Sequence, residues 1–213
     1  MTKLTLTRII PYFCKKIKHM KFNVDIAVPT KPEWVTAVLN DFDTFLQDHA
    51  NGERKASAIA MSFVAKFPDR VEIIPELIET AIEELEHFQQ VYALMEKRGL
   101  KLQHSIGEDL YMKALIKRCH SGRNERFLDR LLITSVVETR GGERFKLISE
   151  AIEDPELKRF YKELWASECK HGNIYVKMAL HYFPEKQVYD RLDWWIIQES
   201  EVMESMEIRA AVH

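Results

Sequence analysis

Apolar residues recur every three or four positions along most of this chain, and polar residues fill the positions between them. This spacing puts the apolar side chains on one face of a helix, so it predicts amphipathic helices rather than strands. We predict helices at residues 33–48, 52–67, 71–98, 106–119, 125–152, 155–183 and 187–210. The tract 22–29 is the one stretch compatible with a short extended piece. The pattern predicts an all-α protein.

Helix breakers mark the boundaries of these segments. Pro68, Gly99 and Gly122 follow predicted helix ends, and Asp154-Pro155 predicts a break followed by a new helix with proline at its first position. Several helices exceed 20 residues, as long-helix bundles require. We expect one domain over residues 1–213, with a basic segment at 1–32 and a last helix, within 187–213, packed on the bundle.

Composition excludes several protein classes. Hydrophobic residues make up 46% of the chain and charged residues 30%, which argues against disorder. No apolar run approaches the roughly 20 residues that span a bilayer, so we expect no membrane partner. The three cysteines, Cys14, Cys119 and Cys169, are odd in number and lack CxxC spacing. They predict buried thiols in a reducing compartment, and we expect a cytoplasmic protein.

The net charge of −2 conceals two basic segments. The first 24 residues contain no acid and six basic residues, namely Lys3, Arg8, Lys15, Lys16, Lys18 and Lys21. Six more lie within residues 113–130, namely Lys113, Lys117, Arg118, Arg123, Arg126 and Arg130. Two interpretations stay open: solvated helix surface, or a local surface for a polyanion.

Two Glu-x-x-His motifs carry the candidate chemistry. Glu84 and His87 form the first motif, and Glu168 and His171 form the second, each in the middle of a long predicted helix. Residues three apart share a helix face, so a carboxylate and an imidazole can hold one metal ion. Taken alone, such a motif arises often by chance, and it needs context.

The context is a repeat. Glu53 lies 31 residues before Glu84, and Glu138 lies 30 residues before Glu168, each on the preceding predicted helix. A glutamate from each of two helices and Glu-x-x-His from each of the other two is the ferritin-like di-iron pattern. We therefore expect a ferritin-like four-helix bundle with additional flanking helices. The expected metal ligands are Glu53, Glu84, His87, Glu138, Glu168 and His171.

One ligand has a rival on the same helix. Gly142-Glu143-Arg144 echoes Gly52-Glu53-Arg54 and nominates Glu143 in place of Glu138. The two glutamates are about 140° apart around a helix, so they cannot both face one metal pair. Because Glu138 has apolar helix neighbours, we predict that it is the ligand. We predict that Glu143 holds Arg140 or Lys146 instead.

The ligand types indicate the metal. Four carboxylates and two imidazoles without a thiolate suit iron or manganese better than structural zinc or copper. Two ferrous ions balance four carboxylates, which removes the cost of burying unpaired charge. Pairing of each glutamate with a surface Lys or Arg is the alternative, but it does not explain four carboxylates on apolar stripes at repeated spacing.

The residues around these ligands resemble those of a known family, the MiaE family of bacterial tRNA hydroxylases. The resemblance runs from about Trp34 to Tyr182. It rests on the stretches 48–56, 83–88, 130–145 and 166–171, which contain the six expected ligands. The family pattern has a small residue and a cysteine where this chain has Gly141-Gly142. This departure concerns the shape of the pocket more than metal binding.

The resemblance implies a catalytic di-iron centre formed by these ligands, with O₂ as co-substrate and an external electron donor, either a protein or a reductant. The implied reaction hydroxylates the isopentenyl group of 2-methylthio-N6-isopentenyl-adenosine at position 37 of tRNA. The tRNA anticodon stem-loop would contact the residues Lys117, Arg118, Arg123 and Arg126. Two alternatives stay open, because a fold does not decide a function. One is another ferritin-like di-iron oxidase, for small molecules, lipids, ferrous iron or peroxide; the other is a binding module without catalysis.

Overall fold

The computed structural model describes residues 24–103 and 108–213. These ranges contain no strand and seven α-helices, which confirms the all-α prediction. The helices are α1 (Pro32–Asn40), α2 (Phe42–Lys66), α3 (Ile74–Lys97), α4 (Leu110–Ile116), α5 (Arg123–Ala151), α6 (Pro155–Leu180) and α7 (Glu185–Ser205), with a 3₁₀ turn at Val71–Ile73. None of them is both long and apolar enough to cross a membrane. Cys14 and the six basic residues among the first 24 positions lie outside the described residues.

Four long helices form the ferritin-like bundle. Helix α2 packs along α3, and α5 packs along α6. Each pair is joined by a short connection, so its two helices run antiparallel. The longer connection from α3 to α5 contains α4. Helix α7 packs on α5, α4 and α6, and α1 lies against α2 and α5. The prediction of a four-helix bundle with flanking helices is confirmed.

The predicted helix break at residues 49–51 is wrong. Helix α2 runs without interruption through Gly52, and the break falls instead at Asp41, whose side chain accepts a hydrogen bond from the backbone N–H of Thr44 at 3.2 Å. A helical glycine costs about 1 kcal/mol relative to alanine. The buried face around it, which includes His49, Ala50 and Glu53, overrides this local preference.

Other predicted boundaries differ by a few residues. Helix α4 is shorter than the predicted 106–119, whose first two residues lie outside the described part. Helix α7 ends at Ser205 rather than at residue 210, because the following segment leaves the helix and packs against the bundle. There, the indole N–H of Trp34 donates to the carbonyl of Ala211 at 2.9 Å. The described part of 22–29 forms no strand.

Helices α5 and α6 approach each other closely at Gly172. A Cβ atom at this position would lie 2.6 Å from Thr139 Oγ1 and 3.2 Å from the carbonyl oxygen of Ser135. The Ser135 hydroxyl donates to the Gly172 carbonyl at 2.6 Å. Only glycine fits this contact without a shift of one helix. The close approach sets the depth at which His171, the preceding residue, enters the bundle.

The cysteine prediction holds only in part. Cys119 and Cys169 are both free thiols, but Cys169 is exposed and Cys119 is half-buried. The prediction that the thiols are buried is therefore wrong for Cys169. The physical reason is helix geometry, because Cys169 is displaced by about 100° from the inward-facing Glu168.

Candidate metal centre

Each helix of the bundle contributes one buried carboxylate to its interior. These are Glu53 on α2, Glu84 on α3, Glu138 on α5 and Glu168 on α6. One turn after the carboxylates of α3 and α6 come the buried imidazoles of His87 and His171. The structure therefore brings all six sequence-predicted residues into one region between the two helix pairs.

The atoms that could bind a metal converge. Glu53, Glu84, His87 and Glu168 each offer one oxygen or nitrogen, and these atoms lie within 4.8 Å of one another. His87 Nδ1 is 3.4 Å from Glu84 Oε2, and it is 3.7 Å from both Glu53 Oε2 and Glu168 Oε1. An imidazole nitrogen surrounded by three carboxylates is a donor set suited to a divalent cation.

Two of the carboxylates lie between the two histidines. Glu84 has Oε2 nearest to His87 and Oε1 at 2.8 Å from His171 Nδ1. Glu168 likewise has Oε1 near His87 and Oε2 at 3.8 Å from His171 Nδ1. The imidazole rings are 5.9 Å apart between centroids. Each of these carboxylates therefore presents one oxygen to each histidine, as a group that bridges two ions must do.

The protonation of the cluster reflects its charge. Burial disfavours the charged imidazoles, but the carboxylates of Glu53 and Glu84 raise the pKa of His87 to about 10. The carboxylates of Glu168 and Glu84 raise the pKa of His171 to about 12. Burial, followed by the charges of Glu168 and Glu84, raises the pKa of Glu138 well above its usual range. The side chains thus favour additional positive charge in this region.

Unsatisfied polar atoms test whether a metal fits. Both oxygens of Glu84, Oε1 of Glu168, and Nδ1 of His87 and of His171 are buried without a hydrogen-bond partner. His171 Nδ1 is close to Glu84 Oε1, but the two atoms are not oriented for a hydrogen bond. Buried polar atoms are rarely left unpaired, because each costs about 1–3 kcal/mol. The unpaired atoms all face one another, so cations held between them fit the site.

The rival glutamate on α5 lies elsewhere. Glu143 accepts hydrogen bonds from the guanidinium of Arg140 at 2.8 Å and from the backbone N–H and hydroxyl of Thr30 at 2.8 and 2.6 Å. Arg140 is one of the two partners that the sequence predicted for it. Glu138, in contrast, lies close enough to Glu168 and Glu84 for their charges to act on its pKa.

A second group of residues contacts the cluster, and the sequence pattern did not indicate a role for them. His49 Nε2 lies 2.7 Å from Glu53 Oε1, and His49 Nδ1 is 3.3 Å from the hydroxyl of Tyr161. Glu83 Oε2 lies 2.8 Å from His171 Nε2, and Lys170 donates to Glu83 Oε1 at 2.6 Å. Partners of this kind fix the orientation of metal ligands.

A cavity of about 490 Å³ reaches the cluster from the side. It lies between α2 and α5, next to α4 and residues 212–213, and Glu53, Glu138 and Glu168 are part of its lining. Its wall includes the apolar residues Ile59 and Val137. A mainly apolar cavity that ends at polar groups is the usual form of a small-molecule or base-binding pocket.

The four residues predicted to contact nucleic acid differ in their surroundings. Arg118 donates to Glu201 at 2.9 Å and to Gln198 at 2.7 Å. Arg123 donates to Asp69 at 2.9 Å. Arg126 is exposed and makes one long hydrogen bond to the carbonyl of His120, and none of the four lines the cavity.

Comparison with known proteins places this architecture in a family. The family model described as tRNA-(MS2IO6A)-hydroxylase (MiaE) matches residues 18–213. A Pseudomonas putida protein named tRNA 2-(methylsulfanyl)-N(6)-isopentenyladenosine(37) hydroxylase is 31% identical over 188 residues, which are 88% of this chain and 91% of that protein. The Salmonella typhimurium protein of the same name is 29% identical over 108 residues, or 51% of this chain and 39% of that protein.

A solved structure shares the fold. It is described as Protein 43 with aldehyde deformylating oxygenase activity from Synechococcus, and it superposes with a TM-score of 0.82. That protein is 31% identical in sequence, and the superposition covers 87% of this chain and 92% of the other. The family match spans most of this chain and its buried cluster, so the chain belongs to the MiaE family.

Proposed function

We propose that this protein is an O₂-dependent di-iron monooxygenase that hydroxylates the isopentenyl group of 2-methylthio-N6-isopentenyl-adenosine at position 37 of tRNA. The observation that carries the proposal is the set of unpaired, buried oxygen and nitrogen atoms in the cluster, which the cavity reaches at Glu168. Membership of a family of tRNA hydroxylases supplies the substrate class.

Six side chains would hold the iron. Glu84 and Glu168 would hold iron with both of their oxygens, since each presents one oxygen to each histidine. Glu53, at 3.7 Å from His87 Nδ1, would be a further iron ligand next to His87. Glu138 would be a further iron ligand next to His171. When bound, the iron pair supplies the redox chemistry that places one oxygen atom of O₂ in a C–H bond, while two electrons and two protons convert the other to water.

The cavity would select and orient the substrate. Its apolar wall suits an isopentenyl chain, and its lining brings that chain next to the carboxylates. Exclusion of water there limits side reactions of an activated oxidant. The base must leave its stacked position to enter the cavity, as in other enzymes that act on nucleobases.

The remaining partners follow from this reaction. The oxygen balance requires an external electron donor, either a protein or a reductant. The anticodon stem-loop is the part of tRNA that carries the modified adenosine, and a tRNA substrate implies a cytoplasmic location.

Mass spectrometry of tRNA nucleosides provides the test. Iron-loaded protein, O₂ and a reductant should add one oxygen mass to the modified adenosine, and that oxygen should derive from ¹⁸O₂ and not from labelled water. Tight tRNA binding without this product, from fully loaded protein with a competent reductant, would contradict the proposal.

Aldehyde deformylation is a second candidate function. The Synechococcus structure, with its aldehyde deformylating oxygenase activity, shares the fold at 31% identity, and an apolar cavity also suits a hydrocarbon chain. Release of formate from a long-chain aldehyde, together with unchanged tRNA, would favour this alternative. Hydroxylated tRNA with no formate would exclude it.

A further inference from the structure

Two basic residues lie at one end of the cavity wall. Lys66 is the last residue of α2, and Arg130 lies in the third turn of α5. Helices α2 and α5 run antiparallel along the cavity, so the end of α2 lies next to the beginning of α5. The two side chains therefore lie at the same end of the cavity wall. Arg130 is eight residues before Glu138, a distance of about 12 Å along the helix.

Arg130 is half-buried and lacks a counter-charge. No hydrogen bond or ion pair joins its guanidinium to any residue of the described ranges 24–103 and 108–213. The remaining residues, 1–23 and 104–107, contain no Asp or Glu. Burial lowers the pKa of Arg130, the nearby Cys119 thiol raises it, and the positive charge of Arg126 lowers it. The net effect opposes the charged form, so a nearby anion would stabilise it.

Several other cations around the cavity and α5 already have acidic partners. Lys55, which also lines the cavity, is 3.4 Å from Asp109. Arg118 and Arg123 pair with Glu201 and Asp69. A guanidinium has five N–H donors and no acceptor, and an unpaired one in partly buried surroundings is costly. Arg130 therefore differs from Lys55, Arg118 and Arg123 in needing an external anion.

We infer that Arg130, assisted by Lys66, binds a backbone phosphate of the RNA whose modified base enters the cavity. The inference rests on the proposed function and adds the residues that locate the RNA. A base that reaches the carboxylates from this end leaves its sugar-phosphate backbone beside Arg130 and Lys66. Bidentate donation by arginine to phosphate is stronger than a lysine point charge, so Arg130 contributes the larger share.

The experiment compares Arg130→Gln with Arg159→Gln. Arg159 is an exposed arginine on α6 that does not line the cavity, and its replacement removes the same charge. Binding of an anticodon stem-loop with the modified adenosine is measured from about 50 to 200 mM salt. We expect Arg130→Gln to flatten the slope of log K against log salt by about 0.7–0.9, the value for one lost phosphate contact. Arg159→Gln should keep the wild-type slope.

Kinetics separate RNA binding from a structural role. Arg130→Gln should raise KM for the stem-loop about tenfold with a smaller change in kcat, as loss of one phosphate contact predicts. Its loss in kcat/KM should be at least several-fold larger for the stem-loop than for the free modified nucleoside, which lacks phosphate. An unchanged salt slope, or equal losses on both substrates, would overturn the inference. Wild-type protein that binds the RNA with an Arg130-dependent slope but makes no product would instead refute the proposed function alone.

Discussion

Two regions of this bundle bury carboxylates equally deeply but satisfy them differently. Glu199 on α7 accepts hydrogen bonds from the guanidinium of Arg140 at 2.8 and 2.9 Å and from the hydroxyl of Tyr111 at 3.1 Å. Glu84 on α3 is just as buried, yet neither of its oxygens has a hydrogen-bond partner. Burial alone therefore does not identify a metal-binding carboxylate. The two kinds of buried carboxylate differ in whether the chain supplies hydrogen-bond donors to their oxygens.

The largest expected effect tests this distinction on a single helix. Glu138→Ala should lose much of the iron and reduce turnover by more than the 10–100-fold that changes in supporting residues typically cause. Glu143→Ala should keep about two iron ions per chain, because the partners of Glu143 are Arg140 and Thr30. Elemental analysis of protein refolded with ferrous iron measures both. If Glu143→Ala empties the site, the assignment on α5 is wrong.

The second prediction concerns the carboxylate that the chain satisfies by itself. Glu199→Ala leaves Arg140 buried without its main partner, so it should lower the free energy of unfolding by roughly 3–5 kcal/mol. Glu201→Ala, on the same helix, removes an exposed partner of Arg118 and should cost less than about 1 kcal/mol. Urea denaturation measures both variants in iron-free protein. Equal costs would show that burial adds nothing to the Arg140–Glu199 pair.

A smaller effect is expected from the residues that hold the ligands. Glu83→Gln weakens the contact with His171 Nε2 and should lower metal affinity by about 10–100-fold. Glu86→Gln, at an exposed position three residues later on α3, is the matched control and should leave the affinity unchanged. Competition with a chelator of known affinity gives the two dissociation constants. Equal affinities would mean that His171 needs no support from Glu83.

The smallest effect is that of one methyl group. Gly141→Ala places a Cβ where no atom lies within 4 Å, and its better helix propensity should add up to about 1 kcal/mol. Gly142→Ala places a Cβ 3.1 Å from Glu168 Cβ, so part of the same gain should be lost. Thermal unfolding of the two variants gives the difference. Equal stabilisation would show that Glu168 shifts freely.

Helix periodicity explains how much the sequence could predict. The Glu-x-x-His spacing needs only the geometry of one helix, and the four-helix bundle follows from its repetition. His49 lies four residues before Glu53 on the same helix face, but the predicted break at residues 49–51 separated the two. The contact between Glu83 and His171 joins residues 88 positions apart on two helices, and nothing in local spacing predicts it.

Tertiary packing explains the remaining differences. A helix break was predicted at residues 49–51, but the buried face of α2 keeps the helix continuous. The charge pattern grouped Arg130 with Arg118 and Arg123, although only the structure shows which of them already have acidic partners. The opposition of Lys66 and Arg130 across the cavity depends on how α2 lies against α5, which no run of residues encodes.

The close contact at Gly172 has a consequence for how the family can diversify. It holds α6 against α5 through the Ser135 hydroxyl and the Gly172 carbonyl, so the two helices cannot move apart without losing a hydrogen bond. The cavity lies between α5 and α2, and α2 forms the wall opposite to α5. Replacing wall residues such as Ala56 or Ile59 can therefore reshape the substrate space while Glu168 and His171 stay in place. Substrate range and metal binding are thus separately adjustable properties of this bundle.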